Sequence, residues 1–255
     1  RFQNYEKRNQ TVYLNIGRSS REPSRYDMFE GNDILLYLCP VDENGGYIIP
    51  EYGNSLISST NPEHVIDYEI GIRNIFNKLN LNINLYHLKF QNERVLNGTY
   101  GPNGLALTSN VDKSTRSGIE ISSSYDLTQN IKLINNSSYS YSVIREQSME
   151  FKPILTPPVI INQEFIYSIK NLQLSVSARY QSGSYINFEN TESLNDYIVL
   201  NGRIDYKMKR HCISLFINNI TDNFYFNNGL VDWDGTNKYF VQAPRNIYLS
   251  MKSEF

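Results

Sequence analysis

The amino-acid sequence predicts an all-β fold, an antiparallel up-and-down transmembrane β-barrel. Apolar and polar residues alternate with a period of two, in segments of about ten residues, which is typical of barrel strands with one apolar and one polar face. The connections between the segments are alternately short and long, as in outer-membrane barrels. No apolar run approaches the roughly 18 residues that a membrane helix needs, which excludes a helical membrane protein.

Composition narrows the function classes. The chain has 255 residues, of which 40% are hydrophobic and 20% charged, so it is not a disordered tail. Its net charge of −2 gives no electrostatic reason to expect nucleic-acid binding. The 20 tyrosines favour strands over helices. The sequence starts without a methionine or a signal-peptide pattern, and we expect it to be part of a longer protein.

Ten strands are predicted from the alternation. The pattern is cleanest at residues 80–85 and 172–180. At 86–90 the apolar residues change phase, which predicts either a bulge or a stretch that is apolar on both faces. Residues 131–144 are mostly Ser, Asn and Tyr and give a weaker pattern. In chain order, the predicted strands are 10–20, 64–76, 80–92, 115–126, 131–144, 159–168, 172–182, 196–207, 211–222 and 244–255.

The lengths of the connections predict which end of the sheet each one occupies. Because consecutive strands run in opposite directions, connections that alternate in length place every long one at the same end. A soluble sandwich shows the same alternation of faces, but it gives no reason for this alternation of lengths. The short connections are 77–79, 128–130, 170–171 and 207–210, and the long ones are 21–63, 93–114, 145–158, 183–195 and 223–243.

Five short motifs, in this order and spacing, give the chain a resemblance to a known family. They are Ser19-Ser20-Arg21-Glu22-Pro23-Ser24; Asn61-Pro62-Glu63 with Asp67-Tyr68-Glu69-Ile70-Gly71; Ser114, Arg116, Gly118 and Glu120; Asn218-Asn219-Ile220-Thr221-Asp222 with Tyr225; and Ala243-Pro244-Arg245-Asn246 before a terminal aromatic residue. On these motifs the chain resembles the C-terminal barrel region of TonB-dependent receptors. The resemblance implies a 22-stranded barrel filled by an N-terminal plug domain.

Under this resemblance, residues 1–255 are the C-terminal portion of the barrel. The plug domain and the N-terminal barrel strands are absent from the sequence. Because ten strands cannot close a barrel of that width, we expect a partial barrel with two open edges. The last strand carries the signal that the barrel assembly machinery reads, at Leu249, Met251 and Phe255. We expect these three residues to face lipid, with Ser250, Lys252 and Glu254 on the other face.

The implied function is that of a bacterial outer-membrane receptor, not an enzyme. The expected substrate is a scarce nutrient, and a ferric siderophore is favoured over other metal chelates, cobalamin or glycans. The implied partners are TonB, through the missing N-terminal region, the barrel assembly machinery, outer-membrane lipid and a small-molecule ligand, with no nucleic acid. Two alternatives remain open at this point. One is a barrel that serves as a passive pore or adhesin, and the other is a soluble β-sandwich that binds carbohydrate.

Candidate ligand contacts are aromatic and arginine side chains in the long connections, because these groups suit large, planar or anionic ligands. They are Arg21, Tyr52, Tyr100, Tyr185, Trp233 and Tyr239. No catalytic residue, cofactor or metal is expected. The three histidines lie far apart, and residues 232–235 lack the later ligands of a calcium loop. Cys39 and Cys212 are expected to be free thiols.

Overall fold

A computed structural model describes residues 9–24, 61–100, 105–146, 149–232 and 234–253. All regular structure in these ranges is β-strand. No helix in these ranges is long and apolar enough to cross a membrane. The strands are β1 (Asn9–Arg21), β2 (Glu63–Phe76), β3 (Leu79–Tyr100), β4 (Ala106–Asp126), β5 (Ile131–Glu146), β6 (Met149–Phe151), β7 (Val159–Ile169), β8 (Leu172–Gln181), β9 (Ser184–Tyr185), β10 (Ser193–Leu194), β11 (Tyr197–Met208), β12 (His211–Asn218), β13 (Phe226–Val231), β14 (Asn237–Val241) and β15 (Asn246–Ser253).

Ten of these strands form one antiparallel sheet in up-and-down order. The order is β1-β2-β3-β4-β5-β7-β8-β11-β12-β15, and β6 pairs with β5 beside this path. This confirms the ten predicted strands and places the long connections at one end of the sheet. Among the described residues β1 does not pair with β15, so the sheet is an open partial barrel. These strands do not form the two packed sheets with crossing connections that the sandwich alternative requires.

The structure corrects two predicted boundaries and one predicted irregularity. The segment 93–114, expected to be a loop, is mostly strand, because β3 and β4 continue pairing from Gln91 to Leu96 and beyond. β12 ends at Asn218 instead of residue 222, because Asn219 and Asp222 take left-handed φ values of 50° and 55° and form a turn. Residues 86–90 keep a continuous register, so no bulge occurs there; Leu88 and Phe90 lie on the polar face instead.

One face of the sheet is apolar. Because side chains alternate along each strand, the pairing assigns every residue of the ten strands to one face. The apolar face holds rows such as Val12, Leu14 and Ile16 on β1 and Ile247, Leu249 and Met251 on β15, all more than 60% exposed. A row of large apolar side chains exposed over ten strands is the outer surface of a membrane barrel, since a water-soluble protein would bury it.

The apolar belt crosses the sheet diagonally. On β1 its central residue is Leu14, which pairs across β2, β3 and β4 to Tyr139 on β5. On β15 it is Leu249, which pairs across the intervening strands to Ile131 on β5, eight positions from Tyr139. With about 3.3 Å per residue and about 4.8 Å between strands, this is a slope of roughly 30°. Strands in a closed barrel must be tilted by a similar angle, so the belt lies level in a membrane only if the strands are tilted.

The polar face is cross-linked by side-chain hydrogen bonds. The buried carboxylate of Asp205 accepts from Arg203 Nε at 2.9 Å and from the Ser214 hydroxyl at 2.5 Å. The Arg203 guanidinium lies 4.9 Å from the ring centre of Phe216, which stacks on Tyr248 at 4.4 Å. Charged groups held in this way cannot face lipid, so this is the lumenal face.

The C-terminal strand agrees with the expected orientation. Leu249 pairs with Leu215, and Met251 pairs with Ile213, on the apolar face. Ser250 pairs with the buried Ser214 on the lumenal face, and Lys252 shares that parity. The expectation for Glu254 and Phe255 lies outside the described residues, as does Cys39. Cys212 is a free thiol.

Candidate ligand site among the long connections

The long connections carry structure of their own. A buried cluster of Val95, Val111 and Ile144 packs with Phe151 and Phe188, whose ring centres are 4.8 Å apart. The five side chains come from the β3–β4 hairpin, β5, β6 and the segment after β9. Burial of aliphatic and aromatic side chains fixes these segments against one another. The connections therefore form a packed layer above one end of the sheet.

Polar contacts hold the β3–β4 hairpin at the edge of this layer. The Arg94 guanidinium donates to the Thr108 carbonyl and hydroxyl oxygens, both at 2.8 Å. The neighbouring carboxylate of Glu93 is 3% exposed and accepts hydrogen bonds from the Ser114 hydroxyl and from Arg116. Asn92, with a φ of 54°, turns the chain so that Glu93 reaches side chains on the lumenal face of β4. The ion pair to the buried Glu93 carboxylate holds the two strands of this hairpin together.

A cavity of about 1010 Å³ lies between these connections. We call it the loop cavity. It is large enough for a metal chelate or an oligosaccharide, since small-molecule sites usually have volumes of about 300–1,000 Å³. Its apolar lining is supplied by four of the long connections. The lining includes Leu96 from the β3–β4 hairpin, Ile154 and Leu155, Ile186, and Leu230, Val231 and Phe240 from the β13–β14 hairpin.

The polar lining of the loop cavity is nearly balanced in charge. Lys238 forms an ion pair with Asp232 across the β13–β14 hairpin. The hydrogen bond and the negative charge of Asp232 raise the pKa of Lys238, so this ammonium stays charged. Glu189 and the amides of Asn97, Asn187 and Asn228 complete the polar lining. The cavity thus offers apolar surface, amide donors and acceptors, and one ion pair.

At the tip of the same hairpin, Asp234 closes a tight turn. Its carboxylate accepts from the Thr236 hydroxyl at 2.6 Å and from the Thr236 backbone N–H at 2.9 Å. These two hydrogen bonds lower the pKa of Asp234. The turn continues with Gly235 at a φ of 81°, a conformation that suits glycine. This turn accounts for the conformation of residues 234–236.

A second cavity, of about 490 Å³, lies where β7 leaves β5. The pairing of β5 with β7 stops at Tyr139 and Val159, while β5 continues to Glu146. Lys152 lines this cavity, with its ammonium 3.6 Å from the ring centre of Tyr141. Tyr185 from β9 also lines the cavity.

The candidate residues predicted from the sequence are scattered. Arg21 ends β1 and pairs with Glu63 at 3.6 Å. Tyr185 lines the smaller cavity, and Tyr239 packs on Phe226 with ring centres 5.0 Å apart, beside the loop cavity. Tyr52, Trp233 and the side chain of Tyr100 lie outside the described residues. The roles of all six stay predictions.

Sequence reasoning missed the residues that line the loop cavity. The residues predicted from the sequence are aromatic or arginine, whereas the lining of the loop cavity is mainly aliphatic. The usable signal was a set of apolar residues inside polar connections, such as Ile154-Leu155 and Leu230-Val231. Such residues in a loop need a partner to pack on or a ligand to contact. In the described part of the chain no group of three or more His, Cys, Asp or Glu could hold a metal ion.

A tilted up-and-down sheet, an apolar outer belt, a hydrogen-bonded inner face and a ligand-sized cavity at one end define a class of protein. They describe part of the wall of a membrane barrel whose long connections form a packed layer around a cavity. The family described as TonB dependent receptor-like, beta-barrel, matches residues 4–228. The chain therefore belongs to the TonB-dependent receptor β-barrel family, as the motifs indicated. A comparison with curated protein sequences gives no match.

Solved structures share the fold. The copper transporter OprC superposes with a TM-score of 0.74 at 16% identity, over 96% of this chain and 37% of that one. The ferric yersiniabactin uptake receptor FyuA from Yersinia pestis gives 0.69 at 13% identity, over 99% and 36%. The siderophore receptor PiuA from Acinetobacter baumannii gives 0.67 at 20%, over 96% and 34%. The chain spans about a third of the length of these proteins.

Proposed function

We propose that this chain forms the C-terminal barrel wall and part of the ligand layer of an outer-membrane receptor for active, TonB-dependent uptake of a scarce nutrient. The observation that carries the proposal is the loop cavity at the long-connection end of a family barrel. Residues 1–255 form the C-terminal portion of the barrel, and TonB acts through the N-terminal plug region of the whole protein. The barrel wall positions the ligand and carries out no chemistry.

A ferric siderophore is the ligand class that we favour among metal chelates. Siderophore receptors such as PiuA and FyuA share the fold, although OprC, a copper transporter, shares it equally well. The aliphatic lining of the loop cavity suits the organic shell of a chelate, and the exposed amide of Asn228 suits its carbonyl and hydroxyl oxygens. The bare ion is not the expected ligand, because the described lining has no cluster of metal-binding side chains.

The test is uptake of ⁵⁵Fe supplied with a panel of siderophores, in cells whose only receptor for them is the full-length protein. We expect uptake of at least one chelate, and we expect uptake to stop when TonB is deleted. Uptake that continues without TonB would support the passive-pore alternative. Absence of uptake for every iron chelate, with binding of a cobalamin or a glycan, would overturn the siderophore assignment alone.

The loop cavity is tested by a matched pair of substitutions. Phe240→Ala removes an aromatic ring from the cavity lining, and Phe224→Ala removes one from an exposed position, 74% accessible, outside it. Truncation of an anchoring aromatic residue costs more than about 1 kcal/mol of binding, which is roughly a fivefold to tenfold weaker affinity. Phe240→Ala should weaken chelate binding by this factor and Phe224→Ala should not. Equal effects would remove the cavity from the ligand path.

A further inference from the structure

Two amide side chains interrupt the apolar face at the middle of the membrane. The centre of the apolar belt aligns with Tyr139 on β5 when it is followed from β1, and with Ile131 when it is followed from β15. Because β5 is the fifth of the ten strands, a level belt crosses it about halfway between these positions, at Asn135. Gln163 on β7 pairs directly with Asn135 and lies at nearly the same height.

These side chains use only part of their hydrogen-bonding capacity within one receptor. The Asn135 side-chain N–H donates to the Gln163 side-chain oxygen at 3.1 Å, and the Ser137 hydroxyl donates to the Asn135 oxygen at 3.0 Å. The Gln163 nitrogen donates to the Ile134 carbonyl oxygen at 2.9 Å and to the Glu164 carbonyl oxygen at 3.5 Å. An amide nitrogen carries two hydrogens, and an amide oxygen has two lone pairs. In the described part of the chain, one N–H of Asn135 and one lone pair of the Gln163 oxygen have no partner.

A spare donor and a spare acceptor are costly at this height. Hydrocarbon offers no hydrogen bonds, so a polar group exposed to it is destabilising. Other described positions at the belt centre are apolar and exposed, such as Leu14, Ile70, Val176 and Leu249. Polar side chains on a membrane-embedded surface form hydrogen bonds with a neighbouring protein segment, because no water competes for them. The two amides therefore mark a contact with another protein in the membrane.

The arrangement of the spare groups fits a second copy of the same receptor. A twofold axis along the membrane normal keeps every residue at its own height and reverses left and right. When the axis passes between Asn135 and Gln163, the spare N–H of Asn135 in one copy faces the spare oxygen of Gln163 in the other, and the contact occurs twice. Small side chains flank the amides in the same row, Ser123 on β4 and Ala178 on β8, so two convex walls can approach closely there.

We propose that Ser123, Asn135, Ser137 and Gln163, which we call the amide patch, form the centre of a homodimer interface within the membrane. The apolar rows around the amide patch pack against the second copy but give little preference for it, since lipid is as apolar as they are. The proposal goes beyond ligand uptake, because the amide patch lies on the outer wall, away from the loop cavity.

Proximity of two copies is tested by cysteine cross-linking of the full-length receptor in outer membranes, with its native cysteines replaced by serine. Ser137→Cys places a thiol beside the axis, and Ile70→Cys places one at similar height on β2, away from the amide patch. We expect a short bis-maleimide to give an adduct of twice the receptor mass with Ser137→Cys and none with Ile70→Cys. No adduct, or equal adducts from both positions, would overturn the interface. An adduct with a different protein would overturn the second copy as the occupant.

The contribution of the amides is tested by energy transfer between donor-labelled and acceptor-labelled full-length receptors in vesicles, over a range of receptor-to-lipid ratios. Asn135→Leu/Gln163→Leu removes both amides, and Asn135→Gln/Gln163→Asn exchanges them. The control is His87→Leu/Ser117→Ala, which removes another hydrogen-bonded pair, 2.7 Å apart, from the same face nearer the long-connection end. Each variant is first checked for heat-modifiable mobility, which reports a folded barrel.

We expect the Leu pair to need a receptor density roughly 10- to 100-fold higher for the same association, since the twofold axis makes each lost contact twice. The exchanged pair and the control pair should stay within about threefold of the unmodified receptor, because both keep amides in the patch. Unchanged association of the Leu pair, equal weakening by the control pair, or a receptor that is monomeric at every density would overturn the proposal. Chelate uptake should continue in the Leu pair, so a failure here leaves the proposed function standing.

Discussion

Placing a charge on either face of β15 gives a direct measure of which face meets lipid. Leu249 lies at the centre of the apolar row of this strand and is 69% exposed, with Leu215 beside it. A lysine on the lipid face of a barrel costs about 2–4 kcal/mol near the bilayer midplane. This corresponds to a folded population roughly 30- to 700-fold smaller relative to the unfolded one. The neighbouring residue Ser250 faces the lumen, where it pairs with Ser214 on β12, and Ser214 pairs with Asp205 on β11.

The assay is denaturant unfolding of the full-length receptor in lipid vesicles, with Leu249→Lys compared to Ser250→Lys. The same charge is added one residue apart, so the length of the strand and the net charge are matched. We expect Leu249→Lys to lower the free energy of unfolding by about 2–4 kcal/mol. Ser250→Lys should change it by less than about 1 kcal/mol, as is usual for a solvated position. Equal losses, or the reverse order, would refute the assignment of the two faces.

Three further predictions follow from particular residues. Deletion of Phe255 should lower the surface-exposed fraction of receptor relative to total receptor in cells. An unchanged fraction would mean that Phe255 has no special role in barrel assembly. On the apolar face the Asn135 side-chain N–H donates to the Gln163 side-chain oxygen at 3.1 Å. Replacing both residues by Leu should be neutral or stabilising in vesicles, while replacing one should cost about 1–3 kcal/mol, because the Gln163 oxygen or the Asn135 N–H then loses its partner. Additive losses on denaturant unfolding would contradict this coupling. The two hydrogen bonds from Thr236 lower the pKa of Asp234, so its stabilisation of the β13–β14 hairpin is present above the ordinary carboxyl pKa and is lost as pH falls through the lowered pKa. Hydrogen exchange of the hairpin should therefore differ between the unmodified receptor and Asp234→Ala at neutral pH, and this difference should shrink in acid. A difference independent of pH would contradict the prediction.

The strands could be predicted from the sequence because the barrel sheet meets a different solvent on each face. Lipid on one side and the lumen on the other impose a period of two on nearly every strand, as at residues 172–180. Where this constraint ends, prediction failed. The extension of β3 and β4 beyond Gln91 lies above the apolar rows, so its residues follow local contacts such as the bonds of Arg94 to Thr108.

The position of the ligand layer could be predicted from the sequence, but the residues that line its cavity could not. Its position follows from the lengths of the connections, which is a property of the whole chain. Its lining depends on which connections pack together, and this is set by contacts distant in sequence, such as Phe151 with Phe188. Residue type alone points to Tyr239, whereas its neighbours Lys238 and Phe240 line the loop cavity. Neighbouring residues of a strand point to opposite sides, so one position in register decides which of them contacts a ligand.

Which face of the barrel wall meets lipid is tested most directly by a cysteine scan of β8, from residue 172 to residue 181, in the full-length receptor with its native cysteines replaced by serine. Each cysteine is labelled with an environment-sensitive fluorophore, and quenching by brominated lipids in vesicles is measured. We expect strong quenching at 172, 174, 176, 178 and 180 and weak quenching at the five odd-numbered positions, because the even residues lie on the apolar face. Quenching that is uniform along the strand, or strong at Ser175, Ser177 and Arg179, would contradict a barrel wall that faces lipid with its apolar side.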